Sequence, residues 1–545
     1  MRLIVLSLAL LCFPSDCCSS IMNQVKSRPV VIVGGGPVGL GMALMLDKRG
    51  FESITVIEKR PKDMSFEREK SYLYLLDSRG QRLLSDLGLL DQLAERGVPS
   101  STFRTLTEVR TDGSLHVKSL PVIPLSAKNK EKYWIPRSGL LTLLEAQART
   151  RPSIKLLFDH SIESIAYSDA DDCFTLSCSG GSDNGRHTHK TKLLLGCDGY
   201  RSGVRRFLGK DFTPISLNSD SAGLQYKMLT PKLSFPLPDG SISQPGTAYA
   251  IRSTGSTATT RVSLGLLPVK ADSPRTANII APPTHEIWSL RTGPEVWGFL
   301  RKSFPQLDPL DAFVDPSEVL QFAEAAAGSF PKPSHVERCI AVMGASNSSF
   351  AALAGDAVHF FPPDLGQGVN SGLEDVSAMS ACLERWDAAL ALQQRQQSRQ
   401  QPHQPSQQQP SLKPSALLAA ALREYESDRV KEAAAIAKIM VYGYPYQYRQ
   451  APWKGRLCLL NFALRLALNK IAPALFHPPA FFMVQQDGRS YFEINKLAQR
   501  TTRAIAKTAL VLVALVLGRH WLAAKATVLA SFFSAVRGGG GGLLL

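Results

Sequence analysis

Three glycines and a glutamate near the N-terminus have the residue types and spacing of a dinucleotide site. Gly34, Gly36 and Gly39 stand within the run Gly-Gly-Gly-Pro-Val-Gly. The first permits a tight turn, the second lets the backbone approach a pyrophosphate, and the third lets a helix lie close on a strand. Glu58 follows about twenty residues later, where a carboxylate can accept hydrogen bonds from both ribose hydroxyls.

A strand, a turn and a helix must position these residues. The apolar run Pro29 to Val33 predicts a buried strand, Leu40 to Arg49 predicts a helix, and Ser53 to Ile57 predicts a second strand that ends on the glutamate. The turn through Pro37 and Val38 leads into the helix, whose N-terminus offers free N–H groups and partial positive charge to a pyrophosphate. We therefore predict an adenine dinucleotide site, and an ordinary strand-turn-helix is the alternative.

Two later segments also end a strand on an acidic turn. The apolar run Leu193 to Leu195 is followed by Asp198 and Gly199, and Arg205 comes shortly after. The short run Ala351 to Asp356 has the same order and leads through two prolines into a glycine-rich helix start. Three separate segments could therefore contribute to one cofactor site.

Together the three segments resemble the group A flavoprotein monooxygenases, the single-component FAD-dependent aromatic hydroxylases, from about Arg28 to Met440. The family's second motif, Asp-Gly-x-x-Ser-x-x-Arg, contacts FAD and is implicated in NAD(P)H binding, and it stands here as Asp198, Gly199, Ser202 and Arg205. The third motif stands here as Gly355, Asp356, Ala357, His359, Pro363, Gly366, Gln367, Gly368 and Asn370. Within the family, the members that hydroxylate kynurenine are the most similar.

The resemblance implies FAD contacts from all three motifs and from Arg137, which begins a predicted helix. The alternative interpretation of Arg137 is a surface arginine without a cofactor contact. The predicted cofactor-binding residues are Gly34, Gly36, Pro37, Val38, Gly39, Glu58, Lys59, Arg137, Asp198, Gly355, Asp356, Pro363, Gly366, Gln367, Gly368, Val369 and Asn370. Asp356 can accept from the ribityl chain, whereas the helix start near Gly366 can aim N–H groups at the pyrimidine edge of the flavin. We interpret His359 as structural, assign no catalytic residue and predict no metal site.

Arg79 is the predicted substrate ligand. It matches a family arginine that holds the substrate carboxylate, and a guanidinium can bind a carboxylate through two hydrogen bonds. A local ion pair at a helix start is the alternative. Kynurenine hydroxylases carry Pro-Phe-Phe before Gly-Gln-Gly, whereas this chain has Pro363, Asp364 and Leu365, which changes the pocket wall beside the flavin.

The resemblance implies an FAD-dependent monooxygenase that uses NADPH or NADH and O₂ to hydroxylate an aromatic or similar small substrate, through a flavin C4a-hydroperoxide. There is no second glycine fingerprint for a separate NAD(P)H domain, which fits a single shared site. One alternative is a membrane-associated FAD-dependent reductase or oxidase acting on a lipid-like substrate. Another is a flavin-binding scaffold without turnover.

The predicted fold is α/β, with a Rossmann-like FAD-binding domain of the para-hydroxybenzoate hydroxylase type interleaved with a mostly β substrate domain. Short apolar strands such as Arg261 to Leu266 support the β lobe. The predicted segments are a targeting leader (1–20), the FAD domain (28–210 with a β insertion at about 103–134, and 336–392), the substrate domain (211–335), a low-complexity Gln/Pro-rich insertion (393–415), a last core helix (416–445) and a basic, apolar helical tail (446–545).

Charge and apolar character concentrate in the tail. The formal net charge is +16, and from Arg429 onward the chain carries sixteen Lys and Arg against three acidic residues. Cations interleaved with apolar residues suit an anionic membrane better than nucleic acid. Trp453 to Leu475 is amphipathic, and Ala504 to Val536 as one helix could span a bilayer or lie on it. The alternative is packing on a protein partner.

The predicted location is an intracellular organelle membrane, with mitochondrion, plastid and endoplasmic reticulum left open. The nine cysteines show no metal-ligand spacing, so we predict buried free thiols, which suit a reducing compartment or leave the compartment open.

Overall fold

The computed structural model describes residues 25–538 apart from 63–71, 101–105, 110–130, 182–184, 256, 258–259, 346, 400–413 and 449. The predicted leader therefore lies outside the described residues, as do most of the 103–134 segment and of the Gln-rich segment. The first part of the Gln-rich segment differs from the prediction, because a helix continues to Arg399. The six cysteines in the described part are free thiols.

A six-stranded sheet organises the first lobe. Its strands are β1 (Val30–Val33), β2 (Ile54–Ile57), β7 (Ile154–Leu157), β11 (Leu193–Gly196), β19 (Ile340–Met343) and β20 (Ser349–Leu353). They lie in the order β19-β20-β11-β1-β2-β7, and all neighbours pair in parallel except β19 with β20. The Val-Val-Ile-Val sequence of β1 is buried throughout, as expected for a parallel strand covered on both faces.

Helices cover this sheet and supply most of its apolar core. They are α1 (Pro37–Lys48), α2 (Ser78–Asp86), α3 (Leu90–Arg96), α4 (Arg137–Arg149), α5 (Gly203–Leu208), α8 (Gly368–Arg399) and α9 (Pro414–Tyr442). Helix α1 begins three residues before the predicted helix, because Pro37 suits the first helical position. Leu373 and Trp386 of α8 and Tyr425 of α9 are buried in the same core as β1.

Three small sheets border the first lobe. Their strands are β3 (Leu73–Leu76), β4 (Val98–Pro99) and β6 (Tyr133–Pro136); β8 (His160–Ser168), β9 (Cys173–Gly180) and β10 (Gly185–Thr191); and β12 (Ile215–Ser216), β18 (Ser334–His335) and β21 (His359–Phe360). Strand β6 runs directly into α4 and so positions Arg137.

The second lobe is a six-stranded sheet with two helices on one face. Its elements are β5 (Leu106–Val109), β13 (Gln225–Leu229), β14 (Ala248–Arg252), β15 (Ser263–Leu266), β16 (Ala277–Ala281), β17 (Gly328–Ser329), α6 (Gly293–Ser303) and α7 (Pro316–Glu324). Strand β5 pairs with β14, so part of the segment that we predicted as an insertion in the FAD domain belongs to the sheet of the second lobe. The lobe is also less purely β than its composition indicated.

Three helices form the C-terminal region: α10 (Pro452–Ile471), α11 (Ala480–Val484) and α12 (Tyr491–Gly538). The apolar stretch predicted as one helix is continuous within α12. Its first turns pack on α9, since Ile494 and Ala498 share a buried cluster with Ile436 and Met440.

Candidate active site

The candidate cofactor site lies where four neighbouring parallel strands end. Val33 of β1 is in register with Ile57 of β2 and Gly196 of β11, and Gly196 is in register with Leu353 of β20. The residues that follow these strand ends come from all three predicted motifs. Parallel strands with neighbouring carboxyl ends form the crevice in which α/β proteins bind ligands.

The first motif forms a turn that only glycine fits. Gly34 has φ +103°, and a Cβ on it would lie 2.4 Å from the carbonyl oxygen of Cys197. A Cβ on Gly39 would lie 1.8 Å from the oxygen of Gly34, so α1 is held close against β1. Val38 packs against Gly355 of the third motif, where a Cβ would meet its side chain at 2.9 Å. The first and third motifs therefore touch at the start of α1.

Glu58 faces the glycine turn from the end of β2. One of its carboxylate oxygens accepts from the Gly35 N–H at 2.6 Å and the other from the Arg60 N–H at 2.8 Å. The carboxylate is half-buried, whereas the neighbouring Lys59 is exposed. Glu58 thus stabilises the turn and keeps an acidic group at the position predicted for a ribose ligand.

The second motif is tied to the third by an arginine. Asp198 Oδ2 accepts from the N–H groups of Gly203 and Val204 at the start of α5, while its Oδ1 is buried without a hydrogen-bond partner among the described residues. Arg205 is buried and donates to the carbonyls of Ala357 and Tyr200. Arg205 therefore links the acidic turn to the loop that carries Asp356.

Asp356 lies in the cleft at the end of β20. Part of the residue is exposed to solvent, yet the protein atoms around its carboxyl desolvate it and raise its pKa to about 6; His359 opposes the shift and Asp375 adds to it. Burial also raises the pKa of Tyr74 well above its ordinary value, with Arg137 opposing and Asp356 adding. Asp356 and Arg137 therefore both act on the charge of the same tyrosine, which puts these two predicted cofactor ligands in one neighbourhood.

A buried ionic network contacts the third motif on its protein side. Asp375 accepts from the Gly355 N–H at 2.7 Å, lies 2.9 Å from His359 Nε2, and accepts from Arg429 Nε at 2.7 Å. His359 and Asp375 are both fully buried. Burial works against the charged form of Asp375, yet His359 and Arg429 hold its pKa below the ordinary value. This arrangement suits a structural role for His359, and sequence reasoning missed both Asp375 and Arg429.

The glycine-rich start of α8 opens on the cleft. Gly366 has φ +63°, and a Cβ on Gly366 or Gly368 would meet nothing within 4 Å. Pro363 is exposed beside them, and Val369 is buried beneath. The backbone of this loop is thus accessible to a flat ligand, as predicted for the pyrimidine edge of a flavin.

Gln367 and Asn370 direct their side chains into the protein. Gln367 donates to Asp77 at 3.1 Å and accepts from the Tyr491 hydroxyl at 2.7 Å. Asn370 donates to the carbonyl of Leu75 at 2.8 Å and accepts from the Asp77 N–H at 3.1 Å. Both side chains hold the loop in place, so any cofactor contact that they make would come from their backbone.

Arg79 is buried and already has several partners. Its Nη1 donates to Asp77 at 3.3 Å and to the carbonyl of Val484 at 3.1 Å, and its Nη2 donates to the carbonyl of Arg489 at 2.8 Å. The guanidinium lies 4.6 Å from the centre of the Tyr491 ring. The structure thus shows the local ion pair that was the alternative interpretation, and it adds contacts from the C-terminal region that the sequence did not indicate.

Asp364 joins the loop before α8 to the second lobe. It accepts a short hydrogen bond from the Ser221 hydroxyl, and the Gln447 side chain donates to its carbonyl at 3.0 Å. Burial raises its pKa to about 6, with Ser221, Gln447 and Tyr448 opposing the shift. Only 4% of the residue is exposed, so the ionised carboxylate destabilises the folded state.

We expect Asp364→Asn to stabilise the protein above pH about 6 by up to roughly 3 kcal/mol. A raised carboxyl pKa means that the folded state favours the protonated form, so the cost is absent below pH about 4 and complete above pH about 6. Denaturant unfolding of the full chain, carried out once below pH about 4 and once above pH about 6, measures the difference in unfolding free energy between the variant and the wild type. Asp311→Asn, an exposed aspartate of the second lobe, is the control. A gain that is equal at both pH values would contradict the assignment.

The donor groups of the cleft fit FAD. Gly36, Gly199, Gly366 and Gly368 all border open space that a Cβ would partly fill. The start of α1 has no capping side chain, so its first-turn N–H groups suit a pyrophosphate. Glu58 and Asp356 are the carboxylates predicted to bind the ribose and the ribityl chain.

The fold and the cleft define a flavin-dependent oxidoreductase of the α/β type. The family described as FAD binding domain matches residues 27–298. The chain is 26% identical over 375 residues to kynurenine 3-monooxygenase of Dictyostelium discoideum, covering 67% of this chain and 71% of that protein. It is 25% identical over 500 residues to kynurenine 3-monooxygenase of Chaetomium globosum, covering 86% and 94%.

A solved structure shares the fold. OxyS anhydrotetracycline hydroxylase from Streptomyces rimosus has a TM-score of 0.54 at 19% identity, covering 85% of this chain and 77% of that one. The chain belongs to the FAD-binding family of group A flavoprotein monooxygenases. The protein is an FAD-dependent monooxygenase. Its class is therefore neither that of a reductase or oxidase nor that of a flavin-binding scaffold.

Proposed function

We propose that this monooxygenase hydroxylates a small aromatic substrate in the cleft between the two lobes, using NADPH or NADH and O₂. The observation that carries the proposal is the meeting of three distant motifs at the ends of β1, β2, β11 and β20. Bound FAD would accept a hydride from the reduced nicotinamide and activate O₂ for transfer of one oxygen atom to the substrate. The protein supplies orientation, fixed charge and exclusion of water.

Each part of the cleft has a definable task in this proposal. Glu58 and the start of α1 hold the adenosine and pyrophosphate end of the cofactor. Asp356 holds the ribityl chain in the middle of the cofactor. The hydrogen bond from the Gly355 N–H to Asp375 fixes the backbone next to Asp356. The backbone N–H groups near Gly366 stabilise negative charge at the pyrimidine edge. The second lobe, joined to this loop by Ser221 and Asp364, excludes water from the reacting ring.

The test is turnover of the purified full chain with NADPH and ¹⁸O₂ across a panel of aromatic acids, phenols and anilines. We expect one compound of the panel to accelerate the reduction of the flavin by NADPH, seen as loss of its yellow absorbance. The same compound should be converted to a product that carries one ¹⁸O atom. Stoichiometric hydrogen peroxide without labelled product across the panel would contradict the aromatic substrate class.

Kynurenine is the first substrate to test, because relatives that carry its name are 22–27% identical to this chain. Asp364 and Leu365 in place of two phenylalanines distinguish the pocket wall from that of kynurenine hydroxylases, so a related aromatic acid is the next choice. In both cases Arg79 is the proposed ligand of the substrate carboxylate, which would replace the backbone carbonyls of Val484 and Arg489 that the guanidinium now contacts.

We expect Arg79→Lys to raise KM for a carboxylated substrate at least about tenfold while FAD content stays unchanged, because lysine cannot form the paired hydrogen bonds of a guanidinium. Steady-state kinetics and the flavin absorbance ratio measure the two effects. Arg82→Lys, an exposed arginine of the same helix, is the control. An unchanged KM in a stably folded Arg79→Lys variant would remove Arg79 from the substrate site.

We also propose that α12 attaches the enzyme to an intracellular organelle membrane. Within the described residues, one helix is long and apolar enough to cross a bilayer by length and composition, and only 6% of its most apolar window is buried. Arg519 and Lys525 interrupt its apolar part, and the Lys525 ammonium lies 3.9 Å from the centre of the Trp521 ring. Long cationic side chains of this kind can reach the lipid headgroups.

A further inference from the structure

We propose that α10 is a second membrane contact, a helix that lies in the plane of an anionic lipid surface and rests its leucine face on the headgroup boundary. The inference depends on the proposed attachment through α12 and adds a separate site with its own chemistry.

The exposed apolar face of α10 is a continuous stripe. The exposed apolar residues of one side are spaced by four, three, four and seven residues, as expected for one face of a helix: Trp453, Leu457, Leu460, Leu464 and Ile471. Between 44% and 79% of each is exposed, and no residue of the helix is buried. A helix of 20 residues is about 30 Å long. A stripe of this size on a folded protein marks an interaction site.

The charge of α10 selects an anionic partner. The helix contains four Lys and Arg and no Asp or Glu. Arg456 and Lys470 are exposed near its two ends, where they could meet lipid phosphates beside the stripe. The same charges would repel each other if two copies of α10 packed face to face. A bilayer therefore suits this face better than a second copy of the chain.

The contact between α10 and α12 places the stripe at headgroup depth. Arg465 of α10 donates to the Thr502 hydroxyl at 2.7 Å and to the carbonyl of Ala498 at 3.4 Å. The apolar run of α12 starts at Thr508, six residues beyond Thr502 and thus about 9 Å further along the helix. The headgroup layer on each side of a bilayer is roughly 5–8 Å thick.

Exposed cations on α12 occupy the interval before the apolar run. Arg500, Arg503 and Lys507 are all exposed and precede Thr508 directly. They form a basic collar where the helix would enter the hydrocarbon, at the same level as α10. Both helices therefore present cations and apolar side chains to one plane.

The start of α10 is fixed to the second lobe. Lys454 pairs with Asp220 at 2.8 Å, and the Tyr446 hydroxyl donates to the other carboxylate oxygen at 2.8 Å. Asp220 precedes Ser221, whose hydroxyl donates to Asp364 in the loop before α8. A membrane contact through α10 would thus set the orientation of the cleft relative to the lipid surface.

The test uses Trp453 as a depth probe in the full chain. The protein is reconstituted in phosphatidylcholine vesicles with and without phosphatidylserine, in which the lipid chains carry bromine near the headgroup. The difference in emission between the wild type and Trp453→Phe isolates this residue. We expect bromine to quench most of the Trp453 emission when phosphatidylserine is present, and less when it is absent.

A face variant and a matched control separate this site from the anchor. Leu457→Glu with Leu460→Glu should abolish the quenching of Trp453 while the protein still floats with vesicles through α12. Leu320→Glu, an exposed leucine of the second lobe, should change neither. Flotation without quenching of Trp453 in the wild type would overturn the proposal and leave the α12 anchor standing. Failure of the wild type to float would overturn both, and equal quenching in both vesicle types would overturn the anionic preference.

Discussion

Replacing Glu58 by alanine is expected to weaken FAD binding by at least roughly 100-fold, so that the protein is purified colourless. The carboxylate accepts from the N–H groups of Gly35 and Arg60, and in the proposed site it also binds the adenosine ribose. Hydrogen bonds to a charged group contribute about 1.5–3 kcal/mol each. The loss of two ribose contacts alone amounts to about 3 kcal/mol, which is roughly 100-fold in a dissociation constant.

The flavin absorbance ratio after purification, followed by titration with FAD, measures this effect. Glu52→Ala removes an exposed glutamate just before β2 and should keep full flavin content. Glu58→Gln is an intermediate variant, because its amide oxygen can still accept from one of the two backbone N–H groups while the side chain carries no charge for the ribose. If Glu58→Ala retains flavin at the wild-type level, the nucleotide does not bind at the end of β2.

The parts of the site that the sequence predicts are those encoded locally. The strand, turn and helix around Gly34 occupy adjacent residues, so apolar pattern and glycine spacing are enough to place them. The same holds for the acidic turns at Asp198 and Asp356, each directly after a short apolar strand. Parallel strand ends meet at one edge of a sheet, and the topology of β20, β11, β1 and β2 brings the three turns together.

The parts that the sequence does not predict depend on partners far apart in the chain. Arg429 is 54 residues from Asp375, and Tyr491 is 124 residues from Gln367. Arg429 lies in a helix rich in charged residues, where it looks like a solvated surface side chain. The contacts of Arg79 with the segment before α12 likewise bridge about four hundred residues.

In the second lobe the prediction was incomplete for a different reason. Its content of Ser, Thr, Pro and Gly indicated strands, and the helices α6 and α7 were not predicted. A readable signal was present for α6, because Thr292 and Glu295 form a capping box with Pro294 near the helix start. For strand β5 the sequence indicated β structure but not the pairing with the second lobe, since its partner β14 is more than a hundred residues away.

Replacing Arg429 by methionine is expected to destabilise the protein by about 3–5 kcal/mol and to loosen the loop that carries Asp356. Only 5% of Arg429 is exposed, and it pairs with Asp375 at 2.7 Å and with Glu374 at 3.3 Å. Asp375 is fully buried, so removal of the guanidinium leaves a buried carboxylate without one of the two positive charges, His359 and Arg429, that stabilise it. Since the same carboxylate accepts from the Gly355 N–H, FAD affinity should fall together with stability.

Denaturant unfolding of the full chain and FAD titration measure the two effects, with Arg423→Met, an exposed arginine of α9, as the control. The pKa of Asp375 is depressed in the folded state, so the wild-type ion pair contributes above pH about 4 and is lost as the pH falls below that value. The deficit of Arg429→Met should therefore shrink at low pH. The double variant with Asp375→Asn should recover part of the stability, because no fully buried charge then lacks its partner. If Arg429→Met alone is as stable as the control, the network does not support the third motif, and the position of Asp356 must depend on the packing of Val38 against Gly355 and Gly372 instead.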